Sequence, residues 1–251
     1  MRATSLEYRL RFAIHAIIFA LGFWAPWCVA LGWTRTTTWL VLASSLFKAG
    51  WLSFSAATNI VLIVAIVLVA LGAWFRVWGA AYVGASVVQS RSMHGESLLA
   101  DGPYRRTRNP LYLGTILHTL GLAILMPPSG AVFCVALIWL FQIRLALAEE
   151  PFLLTKLGEA YSAYRARVPR FLPAPTPQVP AAGTRANWLQ GVFGEIYVVG
   201  VLITFLVFGW NFNATTLIRG VLISLGLWII VKALLPRPEA ATQPSADPVQ
   251  H

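Results

Sequence analysis

The sequence predicts an all-helical, polytopic membrane protein, and three observations predict it. The 251 residues are 58% hydrophobic and only 11% charged, whereas soluble domains run at about 45–50% apolar and about 25% charged. Mean hydropathy is +0.69. Long apolar runs are separated by short segments that hold most of the basic residues, as the positive-inside rule expects of cytoplasmic loops. These features exclude a water-soluble enzyme, a disordered chain and a disulfide scaffold. They also give the net charge of +10, from 19 Lys and Arg against 9 Asp and Glu, a topological reading in place of nucleic-acid binding.

Residues 12–33 follow Arg2, Arg9 and Arg11. That run is about twice the length of a signal-peptide core, so it reads as an uncleaved first span. Residues 36–54, interrupted by Ser44, Ser45, Lys48 and Gly50, read as interfacial or re-entrant. Residues 57–79 are a strong span. A polar loop, 82–110, carries Arg91, Arg105, Arg106 and Arg108. Runs 111–126 and 131–148 flank Pro127-Pro128-Ser129-Gly130 and form an antiparallel hairpin. A second polar region, 149–187, holds Lys156, Arg165, Arg167, Arg170 and Arg185, with five prolines between Pro169 and Gly183. Runs 191–210 and 214–235 are the last spans, and the Pro- and Ala-rich tail from Pro236 reads as disordered.

This organisation gives segments 1–81 (N-terminal spans), 82–175 (loop, hairpin and Glu-Glu segment), 176–235 (C-terminal hairpin) and 236–251 (tail). Six spans put both termini and both basic loops in the cytoplasm. Arg76 and Arg219 lie near span ends and are expected to snorkel. His15 and His118 are expected to hydrogen-bond inside the bundle. Cys28 and Cys134 read as small buried hydrophobes, and no His/Cys set has metal-ligand spacing.

The polar residues adjoining the central hairpin are where chemistry could sit. Gly102-Pro103 forces a turn, and Pro110 suits the first turn of a helix. A helix starting there turns unpaired N–H groups toward the loop, a place for an anionic ligand; the plain alternative is a surface loop with arginine anchors. Glu149 and Glu150 end a spanning helix, where carboxylates need cations, water or a ligand. Helical geometry places Gln142, Leu145 and Glu149 on one stripe and Arg144 about 140° away from Glu149. Ligand carboxylates and interfacial partners for nearby arginines are the two readings.

The stretch GPYRRTRNPLYLG, followed about forty residues later by EEPFLLTKLGEAYSAYRARVP, resembles the isoprenylcysteine carboxyl methyltransferase family and its phospholipid methyltransferase relatives. The resemblance covers about residues 89–173, hairpin included. It implies methyl transfer from S-adenosylmethionine to a membrane-embedded acceptor, at a cofactor pocket on the cytoplasmic side of the membrane. Carried over by position, Gln89, Leu98, Leu99, Tyr104, Asn109, Pro110, Leu111 and Tyr112 match the family's cofactor-contacting stretch. Glu149 matches its cofactor-binding carboxylate, with Glu150 and Tyr112 ordering the site and Arg144 as a further catalytic candidate.

This chain departs from the family pattern at three places. The histidine of the family's Arg-His-Pro is Asn109, and an upstream histidine is replaced by Glu96. The arginine expected four residues before the first glutamate is Leu145, with Arg144 one position off. The resemblance ties that arginine to an acceptor carboxylate, so its displacement argues against a prenylcysteine acceptor. It favours a small lipid or isoprenoid bearing an amine, hydroxyl or carboxylate. The same resemblance admits a nicotinamide-dependent membrane sterol reductase or a non-catalytic scaffold. Binding of S-adenosylhomocysteine, of NADPH or of neither separates the three.

Overall fold

The computed structural model describes residues 2–33, 35–84 and 100–234. Gln89, Leu98 and Leu99, Glu96, and the tail from Pro236 lie outside the described residues. The regular secondary structure among the described residues is helical, as the composition and apolar runs require.

A short helix α1 (Ser5–Arg9) opens the described chain, closed at its start by a reciprocal Thr4–Glu7 capping box. It leads into α2 (Arg11–Trp24), which ends on Ala25 in a left-handed conformation before α3 (Pro26–Ala30). Together α2 and α3 are long and apolar enough to cross a membrane. The ambiguous stretch forms α4 (Thr38–Lys48), capped by the Thr37 side chain. At 11 residues it is too short to span about 30 Å of hydrocarbon, consistent with an interfacial reading. The helix α5 (Phe54–Val83) is 30 residues long and capped by Ser53. It extends beyond the 57–79 expected from hydropathy.

The hairpin consists of α6 (Pro110–Leu122), prolonged by a 3-10 turn Ala123–Leu125, and α7 (Pro128–Arg167). Here the structure corrects the sequence reading: α7 does not end near Ala148 but runs through Pro151 to Arg167, with Gly158 out of helical conformation at φ 56°. Its distal part is held because Leu153 and Leu157 pack on buried Tyr161, Tyr164, Val168 and Ala100. That apolar face runs past the charges that make residues 149–167 read as polar.

After an extended segment, α8 (Trp188–Gly194) and α9 (Ile196–Asn211) meet at Glu195 with a bend of 77°, and α10 (Ala214–Leu234) returns beside α9. By length and composition four helices can cross a membrane, five if the bent pair is one span. The run at 110–125 is a shorter apolar helix, so the sixth expected span is not among them.

The core has two principal clusters. One joins Val61, Leu62, Ala65 and Val69 of α5 to Val201, Phe205 and Phe208 of α9, with Leu122 and Ile124. The other joins Ile18 of α2 to Cys134 and Ile138 of α7 around buried Met126. Close approach of α5 and α6 depends on glycine. A Cβ on Gly72 would sit 2.6 Å from the His118 backbone nitrogen and 2.7 Å from the Gly114 oxygen, the small-residue packing that lets membrane helices touch.

The arginine expected to snorkel does not. Arg76 turns inward, its Nε 2.6 Å and Nη2 2.8 Å from the two carboxylate oxygens of Glu195. Its Nη1 also donates to the Thr115 hydroxyl at 2.6 Å. Snorkelling serves a lone cation, whereas this guanidinium has a buried counter-charge within reach. His15 does hydrogen-bond inside the bundle, to the Arg11 carbonyl and to Gln142. His118 is buried, and neither ring nitrogen makes a hydrogen bond among the described residues. Cys28 and Cys134 are buried free thiols.

Candidate cofactor site

The two polar blocks are stitched to each other. Residues 101–109 run beside 169–184 through backbone bonds: Arg108 N–H to the Pro169 carbonyl, Ala174 N–H to Arg106, and Gln178 N–H to Arg105. Side chains add to the seam. Thr107 donates to the Arg170 and Phe171 carbonyls, Arg105 to Val179, and Arg106 to Pro175. The prolines between 169 and 183 fit this role, since they keep the strand-like segment extended and out of helix.

Asp101 fastens the far end of the seam. Its carboxylate accepts the backbone N–H groups of Ala182 at 2.9 Å, Gly183 at 3.3 Å and Thr184 at 2.7 Å. Burial acts to raise its carboxyl, but the Thr184, Gly183 and Ala182 donors outweigh that and hold it below the usual range.

Asn109 precedes α6 and does not cap it. Its Nδ2 donates instead to the Arg170 carbonyl at 3.0 Å, so the first turn of α6 carries no side-chain cap. Pro110 is fully buried, at the first helical position. Tyr104 is buried too, and its carbonyl accepts the Tyr164 hydroxyl at 2.7 Å, which ties the first block to the distal half of α7. Leu111 lies against α5, where a Cβ on Gly79 would touch it at 3.1 Å.

The adjacent glutamates have opposite surroundings, because one residue turns about 100° round a helix. Glu150 is buried and faces the seam. It accepts from Arg108 Nη1 at 2.7 Å and from Arg170 Nε and Nη2 at 2.8 and 2.9 Å. The pairing with Glu150 raises the Arg170 guanidinium further above its ordinary value. The expectation that glutamates here partner nearby arginines holds for Glu150.

Glu149 faces the other way, toward α6 and α1. Its Oε1 accepts the Tyr112 hydroxyl at 2.6 Å and the Tyr8 hydroxyl at 2.7 Å. Among the described residues Glu149 makes no ion pair, whereas Glu7, Glu150 and Glu195 each do. A carboxylate set between phenols can receive a cationic group, and the N–H groups of an uncapped helix start can receive an anionic one.

Arg144 does not join this pair. It points to Glu7, Nη2 lying 2.8 and 2.7 Å from the two carboxylate oxygens, in keeping with the angular offset between Arg144 and Glu149. Leu145, in the place of the expected arginine, is fully buried against Tyr8 and Phe141. Sequence reasoning missed Tyr8, whose only signal is an aromatic residue among the arginines before the first span. It also missed Glu195, signalled by a lone acidic residue inside an apolar run.

The phospholipid methyltransferase family model matches residues 60–160, from α5 through the greater part of α7. Protein-S-isoprenylcysteine O-methyltransferase of Schizosaccharomyces pombe is 30% identical over 88 residues, which are 35% of this chain and 37% of that protein. The Mus musculus protein of the same name is 33% identical over 89 residues, 35% of this chain and 31% of its own length. Cobalt-zinc-cadmium resistance protein CzcN of Cupriavidus metallidurans is 25% identical over 143 residues, 57% of this chain and 63% of that one. The chain thus spans about a third of the length of the two methyltransferases it matches. No solved structure matches. Residues 60–160, which hold Tyr112, Glu149 and Glu150, are thus similar to the phospholipid methyltransferase family, and about a third of the chain is similar to isoprenylcysteine methyltransferases.

Proposed function

We propose that the protein is a membrane methyltransferase that uses S-adenosylmethionine and methylates a lipid-like or isoprenoid acceptor within the bilayer. The observation that carries this reading is Glu149, held by two tyrosine hydroxyls and without an ion pair among the described residues. The cofactor's amino-acid end bears an ammonium and a carboxylate. Glu149 suits the first, and the uncapped start of α6 at Asn109, Pro110, Leu111 and Tyr112 suits the second. Bound there, the cofactor supplies an electrophilic methyl group on a sulfonium.

Direct displacement asks the protein chiefly to position the partners and exclude water. Tyr112 orients the Glu149 carboxylate. Glu150 locks the seam through Arg108 and Arg170, which fixes the loop that would cover the nucleoside, Tyr104 included. Residues 82–175 are the methyltransferase core in this reading, and the flanking helices embed it. Both polar blocks lie on the cytoplasmic side, where the cofactor is available. The acceptor enters sideways between apolar helices, since a hydrocarbon chain gains nothing by leaving the bilayer. Arg144 is committed to Glu7, which supports an acceptor other than a prenylcysteine carboxylate.

Titration of S-adenosylhomocysteine into purified protein in detergent tests the reading. The wild type binds, and Glu149→Gln weakens binding about tenfold or more, as expected for loss of a charge-assisted contact. Binding of NADPH in place of S-adenosylhomocysteine, or equal affinity in Glu149→Gln, overturns it. Methyl-labelled cofactor should mark a membrane lipid extract, and label confined to water-soluble metabolites overturns the lateral-entry acceptor.

A further inference from the structure

The N-terminal helix reaches the same carboxylate from outside the matched segment 60–160. Three polar ties hold α1 on α7. The Ala3 N–H donates to the Arg144 carbonyl at 3.0 Å, Arg144 grips both oxygens of Glu7, and the Tyr8 hydroxyl donates to Glu149 Oε1. Tyr8 is buried against Phe141 and Leu145, with the Arg11 guanidinium 4.4 Å from its ring centroid.

Two hydroxyls on one oxygen fix the rotation of the Glu149 carboxylate. Its Oε2 makes no hydrogen bond or ion pair among the described residues, although an ionised carboxylate can accept at about four sites. The one oxygen is used for orientation and the other is left for a ligand. Arg144 and Glu149 lie on different faces of α7, and α1 bridges them, with Glu7 on one and Tyr8 on the other.

We propose that Tyr8 is a positioning residue for Glu149, and that α1 is a strap carrying it into the site, pinned by Glu7–Arg144. The ligand class is the ammonium of an amino-acid-bearing nucleoside, so the inference rests on the cofactor role assigned to Glu149. Arg144 then serves the site at one remove, by anchoring the strap.

The test uses the full chain in detergent, titrated with S-adenosylhomocysteine, with Tyr8→Phe, Glu149→Gln, their combination and Arg144→Gln. Tyr8→Phe keeps the packed ring and should weaken binding about fivefold, the worth of one hydrogen bond. In the Glu149→Gln background the same change should cost less than about twofold, because Tyr8 acts through Glu149. Equal losses in both backgrounds, or no loss from Tyr8→Phe, overturn the positioning role and leave Glu149 untouched. Failure of the wild type to bind overturns the cofactor assignment itself, and with it the role of Tyr8. A readout free of cofactor is amide exchange over residues 2–10, which Glu149→Gln and Arg144→Gln should both accelerate. Unchanged exchange in both variants would show that neither contact holds the strap.

Discussion

Arg76 and Glu195, 119 residues apart, form a two-point ion pair at the bend between α8 and α9. Glu195 is 2% exposed and the Arg76 side chain 19%. The pair therefore fastens three elements, α5, α6 through Thr115, and the start of α9, inside apolar surroundings. Where the chain must break its helix at Glu195, a buried charge holds the break in place.

Removing one partner should unfold the bundle readily. Glu195→Leu or Arg76→Met alone leaves an uncompensated buried charge, a loss of about 3–5 kcal/mol. The double variant should recover most of that stability, since well-packed apolar replacements of buried pairs are often neutral. Thermal unfolding in detergent checks this, and a double variant as unstable as the worse single would show that the pair is not the coupling contact.

Helix contact at Gly72 should tolerate no side chain. Both atoms that a Cβ would strike, the His118 nitrogen and the Gly114 oxygen, are backbone, so neither can rotate away. Gly72→Ala should cost about 1–3 kcal/mol through overpacking. Gly226→Ala, on the open face of α10 where nothing lies within 4 Å of a Cβ, should be neutral or stabilising. Equal melting temperatures for the two variants would contradict the packing.

The Asp101 latch should be sensitive to acid. Its folded carboxyl titrates below the ordinary value, so its contribution is fully present above the unfolded value of about 3.9 and is lost as pH falls through the folded one. Amide exchange of residues 182–184 should be slow at neutral pH and should rise selectively in acid. In Asp101→Asn, which cannot ionise, exchange corrected for its intrinsic pH dependence should be raised already at neutral pH. No difference between the variant and the wild type at neutral pH would count against the latch.

Sidedness can be read by thiol labelling, because both native cysteines are buried. Arg165→Cys, at the distal end of α7, and Asn213→Cys, in the turn between α9 and α10, occupy exposed positions at opposite ends of the bundle. In sealed right-side-out vesicles an impermeant reagent should reach position 213 and not 165. Labelling of both from one side would break the proposed topology.

The apolar runs determined by themselves that this is a helical membrane protein, because burying a backbone in hydrocarbon leaves helices as the means of satisfying its polar groups in segments of this length. The two blocks around Pro110 and Glu149 were equally legible, since their order and spacing survive as a linear pattern. What the sequence could not assign was partnership. Glu149 and Glu150 are neighbours in the chain, yet only the fold sends one to two arginines and the other to two tyrosines. Arg76 near a span end looked like a snorkelling cation until α9 brought Glu195 against it. Tyr8 looked like flank until α1 folded onto α7. In each case the deciding contact joins residues more than a hundred positions apart, or depends on which way a helix face turns. Such contacts are set by helix packing, which local composition does not encode.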